Sequence, residues 1–334
     1  MKKASSSRLA GLIGLGLVAW TATASAQTST AAAPSKAGTR FITLGTRAGP
    51  QPSVGRAQSS NVLIVNGALY VVDAGDGVTR RLTKAGIAIR DIDTIFITHP
   101  HSDHTSGLGA LLTAEYDLNR TKPVNIYGPP GTQAIFQGLL AYLTVNAEIR
   151  ISEATRTVQP AQMFFGHDMG TGTIFQDGNI KVTAAENTHF NFPPGSPAFG
   201  KYKSYSYRFE TPDRVIVFTG DTGMSDALVE LTKGADTLVS EVNSVEELQE
   251  QRIKTGQWQK LTPAEQVAFL RHIRQEHVTP DEVGTMAARA GVKTVVLTHL
   301  PATLDPKDDY KRYGEQVKKQ FSGQVLIAKD LMEF

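Results

Sequence analysis

The chain has no cysteine in its 334 residues. That absence removes disulfide staples, thiolate metal ligands and any lipid-modified cysteine, so a metal ion could be held only by His, Asp and Glu. Long apolar runs are scarce too. The longest, Leu9 to Trp20, covers about 12 residues, where a membrane-crossing helix needs about 20. Neither charge sign dominates, with 34 Lys and Arg against 32 Asp and Glu, and histidines number eight.

The short apolar run follows Lys2, Lys3 and Arg8 and precedes "TATASA". This is the pattern of a secretory signal peptide over residues 1–26, with Ala24 and Ala26 at the small-residue cleavage positions. The expectation is a periplasmic or secreted protein with no stable membrane association after cleavage. Loss of the leader removes three positive charges and takes the formal net charge from +2 to −1. No basic field then remains to attract phosphate backbones, so nucleic acid is not expected as a partner. Residues 27–39 are small and polar, the composition of a disordered linker. Residues 40–334 form one domain, with ample apolar content for a core.

Histidine, though rare, is concentrated. The stretch "FITHPHSDHTSG", residues 96–107, holds His99, His101, Asp103 and His104 directly after "DTIFIT", a run with the β-branched and aromatic make-up of a buried strand. Imidazole nitrogen and carboxylate oxygen suit Zn²⁺ and similar metals, and a loop leaving a rigid strand can converge them on one point.

Strands alternate with helices around this loop. "RFITLGT" is a strand, and "NVLIVNGALYVVDAG" is a hairpin turning at Asn66-Gly67. A helix over 77–86 leads to the strand 93–98, and the histidine loop opens a helix over 106–118. Beyond these come the strand "PVNIYG", a helix over 132–143, and a hairpin running from Thr173 to His189. No element is assignable over 144–170. Later strands are "KSYSYRFE", "RVIVFTG", "DTLVSEV", "KTVVLT" and "QVLIA", with helices from Ser225, over 263–275 and over 280–290. Such an order indicates two mixed sheets with helices outside.

Three further donors end strands: His189, Asp221 and His299. Each alone would be an ordinary polar cap. Together with the loop they make seven donors, one of them a carboxylate able to bridge two ions, which fits a two-metal centre.

These residues resemble the metallo-β-lactamase superfamily, in particular its ribonuclease Z and arylsulfatase-like branch. "VVDAGDGVTRRL", "ITHPHSDHTSGLGALL", "FTGDTGMSDALVELTKGADTLVSEV" and "EHVTPDEVGTMAARAGVKTVVLTHL" occur in that family's order. The resemblance implies an αββα sandwich in the α/β class. It assigns His99, His101 and His189 to a first metal and Asp103, His104 and His299 to a second, with Asp221 bridging two Zn²⁺ (Mn²⁺ or Fe as alternatives). It also implies catalytic roles for Asp103 in handling the proton and for His277, in "HVT", paired with Glu241. Asp73 is expected to support the metal loop, and His167 and His272 are read as ordinary histidines.

The long arm that tRNA-processing members carry between the third His ligand and the bridging Asp is absent. The expectation is therefore an exported dinuclear hydrolase, with a metal-bridging hydroxide attacking a phosphodiester or aryl sulfate in a small-molecule ester. A β-lactam or lactone hydrolase is the alternative. A tRNA endonuclease and a non-catalytic metal-binding protein rank behind both.

Overall fold

The computed structural model describes residues 38–301 and 310–334. The leader and nearly all of the expected linker lie outside them, and Thr39, the linker's last residue, already opens a strand.

Six strands of the first half form one sheet: β1 (Thr39–Gly45), β2 (Ser60–Val65), β3 (Ala68–Ala74), β4 (Thr94–Phe96), β5 (Val124–Gly128) and β6 (Phe164–Asp168). They pair in sequence order, antiparallel from β1 to β3 and parallel from β3 to β6. Asn66 and Gly67 both take positive φ at the β2–β3 turn, as the primed hairpin requires. Seven later strands form the second sheet: β7 (Gly172–Gln176), β8 (Lys181–Glu186), β9 (Tyr205–Glu210), β10 (Val215–Phe218), β11 (Thr237–Ser240), β12 (Thr294–Leu297) and β13 (Gln324–Ile327). The last strand, β14 (Met332–Glu333), crosses back to pair with β1.

Side-chain alternation divides these strands between three apolar layers. Leu63, Tyr70, Val72 and Phe96 face Tyr207, Phe209, Phe218, Val239 and Val296 between the sheets. Val62, Ile64 and Val71, one position away, turn outward to Leu82, Leu111, Leu112 and Phe136. On the far side, Leu238, Val295 and Leu297 pack against Leu228, Val283, Met286 and Val317. Period-two alternation on strands buried on both faces thus makes a helix–sheet–sheet–helix sandwich.

The helix expected over 132–143 runs on to Thr132–Ser152. Its second half carries apolar residues on the solvent side, with Tyr142 66%, Val145 65% and Ile149 52% exposed, so its periodicity is blurred in the sequence. A helix at Val245–Lys254, capped by Ser244, was also not apparent from the sequence, as its charged residues leave almost no apolar face.

Strand direction places the site. β10 to β13 run parallel, and β8, antiparallel to β9, points the same way as β10. The segments that follow β8, β10, β11 and β12 therefore emerge at one edge, carrying His189, Asp221, Glu241 and His299. Ligand sites of α/β sheets form at such carboxyl ends.

Candidate metal centre

Two donor sets form at this edge. One consists of His99, His101 and His189, the other of Asp103, His104, Asp221 and His299, with the donor atoms of each set within 4.8 Å of one another. In the first, His101 Nδ1 lies 3.1 Å from His99 Nε2 and 3.0 Å from His189 Nε2. In the second, His299 Nε2 is 3.2 Å from Asp103 Oδ2 and 3.4 Å from Asp221 Oδ1, and His104 Nε2 is 3.3 Å from Asp221 Oδ1. Bonds of 2.0–2.1 Å at tetrahedral angles separate donors by about 3.3 Å, so both sets match the edge lengths of a metal polyhedron.

Asp221 divides its oxygens between the sets. Oδ1 faces His104 and His299, whereas Oδ2 is 3.9 Å from both His99 Nε2 and His189 Nε2. Its backbone is placed by Gly220, where φ is +59° and a Cβ would stand 2.8 Å from that of Thr98. Only glycine meets both conditions.

Protonation follows the same division. Burial pushes His99 and His189 well below the usual imidazole range, leaving neutral rings with lone pairs to give. In the second set burial opposes charge, but Asp221 above all raises His104 and His299. Asp221 is itself held well below the usual carboxylate range, where His299 and His104 outweigh its burial. A nest of buried carboxylates therefore demands positive charge, which a metal cation supplies. His104 Nε2 and Asp221 Oδ1 make no hydrogen bond among the described residues, as expected of atoms reserved for a metal.

Supporting contacts orient the rings. Asp73, at φ +61°, accepts from the Thr98 amide at 2.8 Å, and its Oδ2 is 2.8 Å from His104 Nδ1. The Gly49 amide donates to Asp103 Oδ2 at 2.8 Å. His277, 7% exposed, sets Nδ1 2.7 Å from Glu241 Oε2, and one of its nitrogens lies within 4.8 Å of donor atoms on His189 and Asp221. Burial raises Glu241 well above its usual range and lowers His277. His101 is solvent-exposed and marks the open side.

A beta-lactamase superfamily domain model matches residues 69–300. The chain belongs to the metallo-β-lactamase superfamily. Ribonuclease Z of Mycobacterium bovis is 27% identical over 296 residues, 87% of this chain and 96% of its own length. Its Mycobacterium marinum counterpart is 28% identical with the same coverage. Among solved structures, the metallo-β-lactamase fold protein YhfI from Bacillus subtilis superposes with a TM-score of 0.62 at 19% identity, covering 89% of this chain and 98% of its own. Human tRNase Z, short form, gives 0.59 at 23%, covering 88% and 98%. The superfamily chain is a metal-dependent hydrolase acting on an ester-type bond.

These relatives overturn one expectation. Nucleic acid was set aside on net charge and on the missing arm, yet proteins named ribonuclease Z are similar along nearly the whole domain. Net charge was the wrong measure, because a site carrying cations creates its own local field for phosphate.

His272, read as an ordinary histidine, belongs to neither donor set but lies beside them: its ring is 5.0 Å from that of His277 and 5.9 Å from that of His189, and its Nδ1 is 2.7 Å from Glu276 Oε2. The spacing of His272 and Glu276 on one helix face, just before "HVT", was the available signal. His167, by contrast, sits away from the site, stacked on Tyr127 and bonded to Asn125. Sequence reasoning also missed the Glu276 carbonyl, 2.8 Å from His189 Nδ1, since a backbone acceptor leaves no residue-type signature.

Asp73→Asn tests the support for His104. Asparagine tolerates positive φ, so the backbone should hold while the charge is lost. We expect zinc affinity at one site to fall about 10- to 100-fold with the other unchanged, measured by chelator competition. Equal loss at both sites would mean a general structural role.

Proposed function

We propose that this chain is a dinuclear phosphodiesterase, nucleic-acid phosphodiesters included, with aryl sulfates as a secondary class. His99, His101 and His189 would hold one metal ion and Asp103, His104 and His299 the other, with Asp221 between the two sets. Zinc suits the donors best, while Mn²⁺ and Fe remain acceptable to an all-His/Asp set. Bound metals would supply Lewis acidity toward the ester oxygens and a water acidified to near-neutral pKa.

The observation that carries the reading is the Glu241–His277 pair beside the shared carboxylate. Glu241 fixes the tautomer and orientation of His277 through Nδ1, leaving Nε2 to hand a proton to the departing oxygen. An alkoxide, the leaving group of a nucleic-acid phosphodiester, needs that proton. Asp103, whose Oδ2 accepts from the Gly49 amide and lies 3.2 Å from His299 Nε2, would take up the proton of the attacking water. The names of the relatives point to the same bond type.

A panel of bis-p-nitrophenyl phosphate, a short RNA, an aryl sulfate, nitrocefin and a lactone, offered to the zinc-loaded protein, tests the proposal. Turnover should be greatest on the phosphodiesters; hydrolysis confined to nitrocefin or the lactone would replace it. Export is part of the proposal, and the intact mass of periplasmic material should show an N-terminus at Gln27. Recovery of the full-length chain in the cytoplasm would exclude export.

A further inference from the structure

Four of the histidines in the donor sets are almost fully buried: His99, His104, His189 and His299. Each presents one nitrogen to the donor set, and the other nitrogen must then find a partner. Three have one. His104 Nδ1 meets Asp73 at 2.8 Å, His189 Nδ1 the Glu276 carbonyl at 2.8 Å, and His99 Nδ1 the Thr98 hydroxyl at 3.1 Å.

His299 is the exception. Its Nδ1 makes no hydrogen bond among the described residues, and Glu241 Oε2, at 3.7 Å, is too far for one. Beside it lies a space of about 20 Å³ lined by Asn61, Thr298, Glu241 and His299 together with Asp73, His104 and Asp221 of the metal centre. Asn61 Oδ1 and Thr298 Oγ1 are likewise without partners, on residues only 4% and 7% exposed. One water needs about 10–15 Å³ by this measure and at least two polar partners, so the space suits a single molecule.

We propose that one ordered water in this space completes His299. It accepts the Nδ1 proton and donates to Asn61 Oδ1, with the Thr298 hydroxyl and Glu241 Oε2 available for its remaining bonds. Asn61, on β2 in the opposite sheet, is then a positioning residue for the second metal, acting through the water and His299. The inference rests on the assignment of His299 as a metal ligand.

Stepwise zinc affinities, measured by competition with a chromophoric chelator and paired with thermal melts, test it without reference to turnover. Asn61→Leu keeps the volume and removes the acceptor, and should weaken one zinc site about 10- to 100-fold while sparing the other. Asn61→Asp, which keeps an acceptor, should retain most of the affinity. Thr298→Val, nearly isosteric, should lose less than Asn61→Leu and decides the matter if the leucine variant fails to fold. Unchanged affinities in both Asn61→Leu and Thr298→Val would overturn the water. Equal loss from both sites would overturn it as well, since that marks a general packing defect. His299→Ala separates the underlying assignment: if it leaves both zinc sites intact, the ligand role itself is wrong, whereas loss of one zinc there with no effect at Asn61 or Thr298 rejects only the water.

Discussion

Asp221→Ala should purify with neither metal retained, whereas His104→Ala or His189→Ala should each lose one. The difference follows from how the Asp221 oxygens are divided, Oδ1 toward His104 and His299 and Oδ2 toward His99 and His189. Removing the carboxylate leaves the second set with one anionic donor, Asp103, and the first set with none. Two cations a few ångströms apart would then face each other without the negative charge between them. Activity should fall by more than the roughly 10- to 100-fold typical of residues that only orient a ligand. Elemental analysis after dialysis decides it: retention of one metal per chain by Asp221→Ala would show that the carboxylate belongs to a single site.

The second large effect is expected at His277, and its size should depend on the leaving group. His277→Ala keeps all seven donors, so both metals should stay. General acid assistance is typically worth about 10²–10⁴ in rate, and least for a stable leaving anion such as p-nitrophenolate. An alkyl phosphodiester should therefore slow by that full factor and a nitrophenyl ester by much less. Glu241→Gln should show the same ordering more weakly, because the imidazole remains while its 2.7 Å carboxylate partner is replaced by an amide. Equal slowing of both esters would remove the acid role and leave charge stabilisation or positioning in its place.

Most of the architecture was legible before any coordinates. The strands around "DTIFIT", "RVIVFTG" and "KTVVLT" are bounded by turn residues and rich in β-branched side chains, and each appears where the pattern placed it. Legibility failed where burial is not periodic, as in Thr132–Ser152, and where a helix is nearly all polar, as in Val245–Lys254. For His272 the one local signal, Glu276 four positions on and just before "HVT", does not report that this helix end is carried against His189.

The sequence by itself determined the chemistry on offer: no thiolates, seven imidazole and carboxylate donors at strand ends, and a family likeness that assigned their order. Residue type and strand pattern are local properties, so a linear chain displays them. The likeness also divided those donors into two sets, but only the tertiary structure supplies the physical cause of that division. His99 and His104 are five positions apart, yet they fall into different sets, and His189 joins the first only because β8 and β10 point the same way. It also decided which oxygen of Asp221 faces which set, and that the second nitrogen of His299 is left without a hydrogen bond among the described residues. Distances between segments far apart in the chain come from strand pairing and sheet packing, and neither is written in any short stretch of residues.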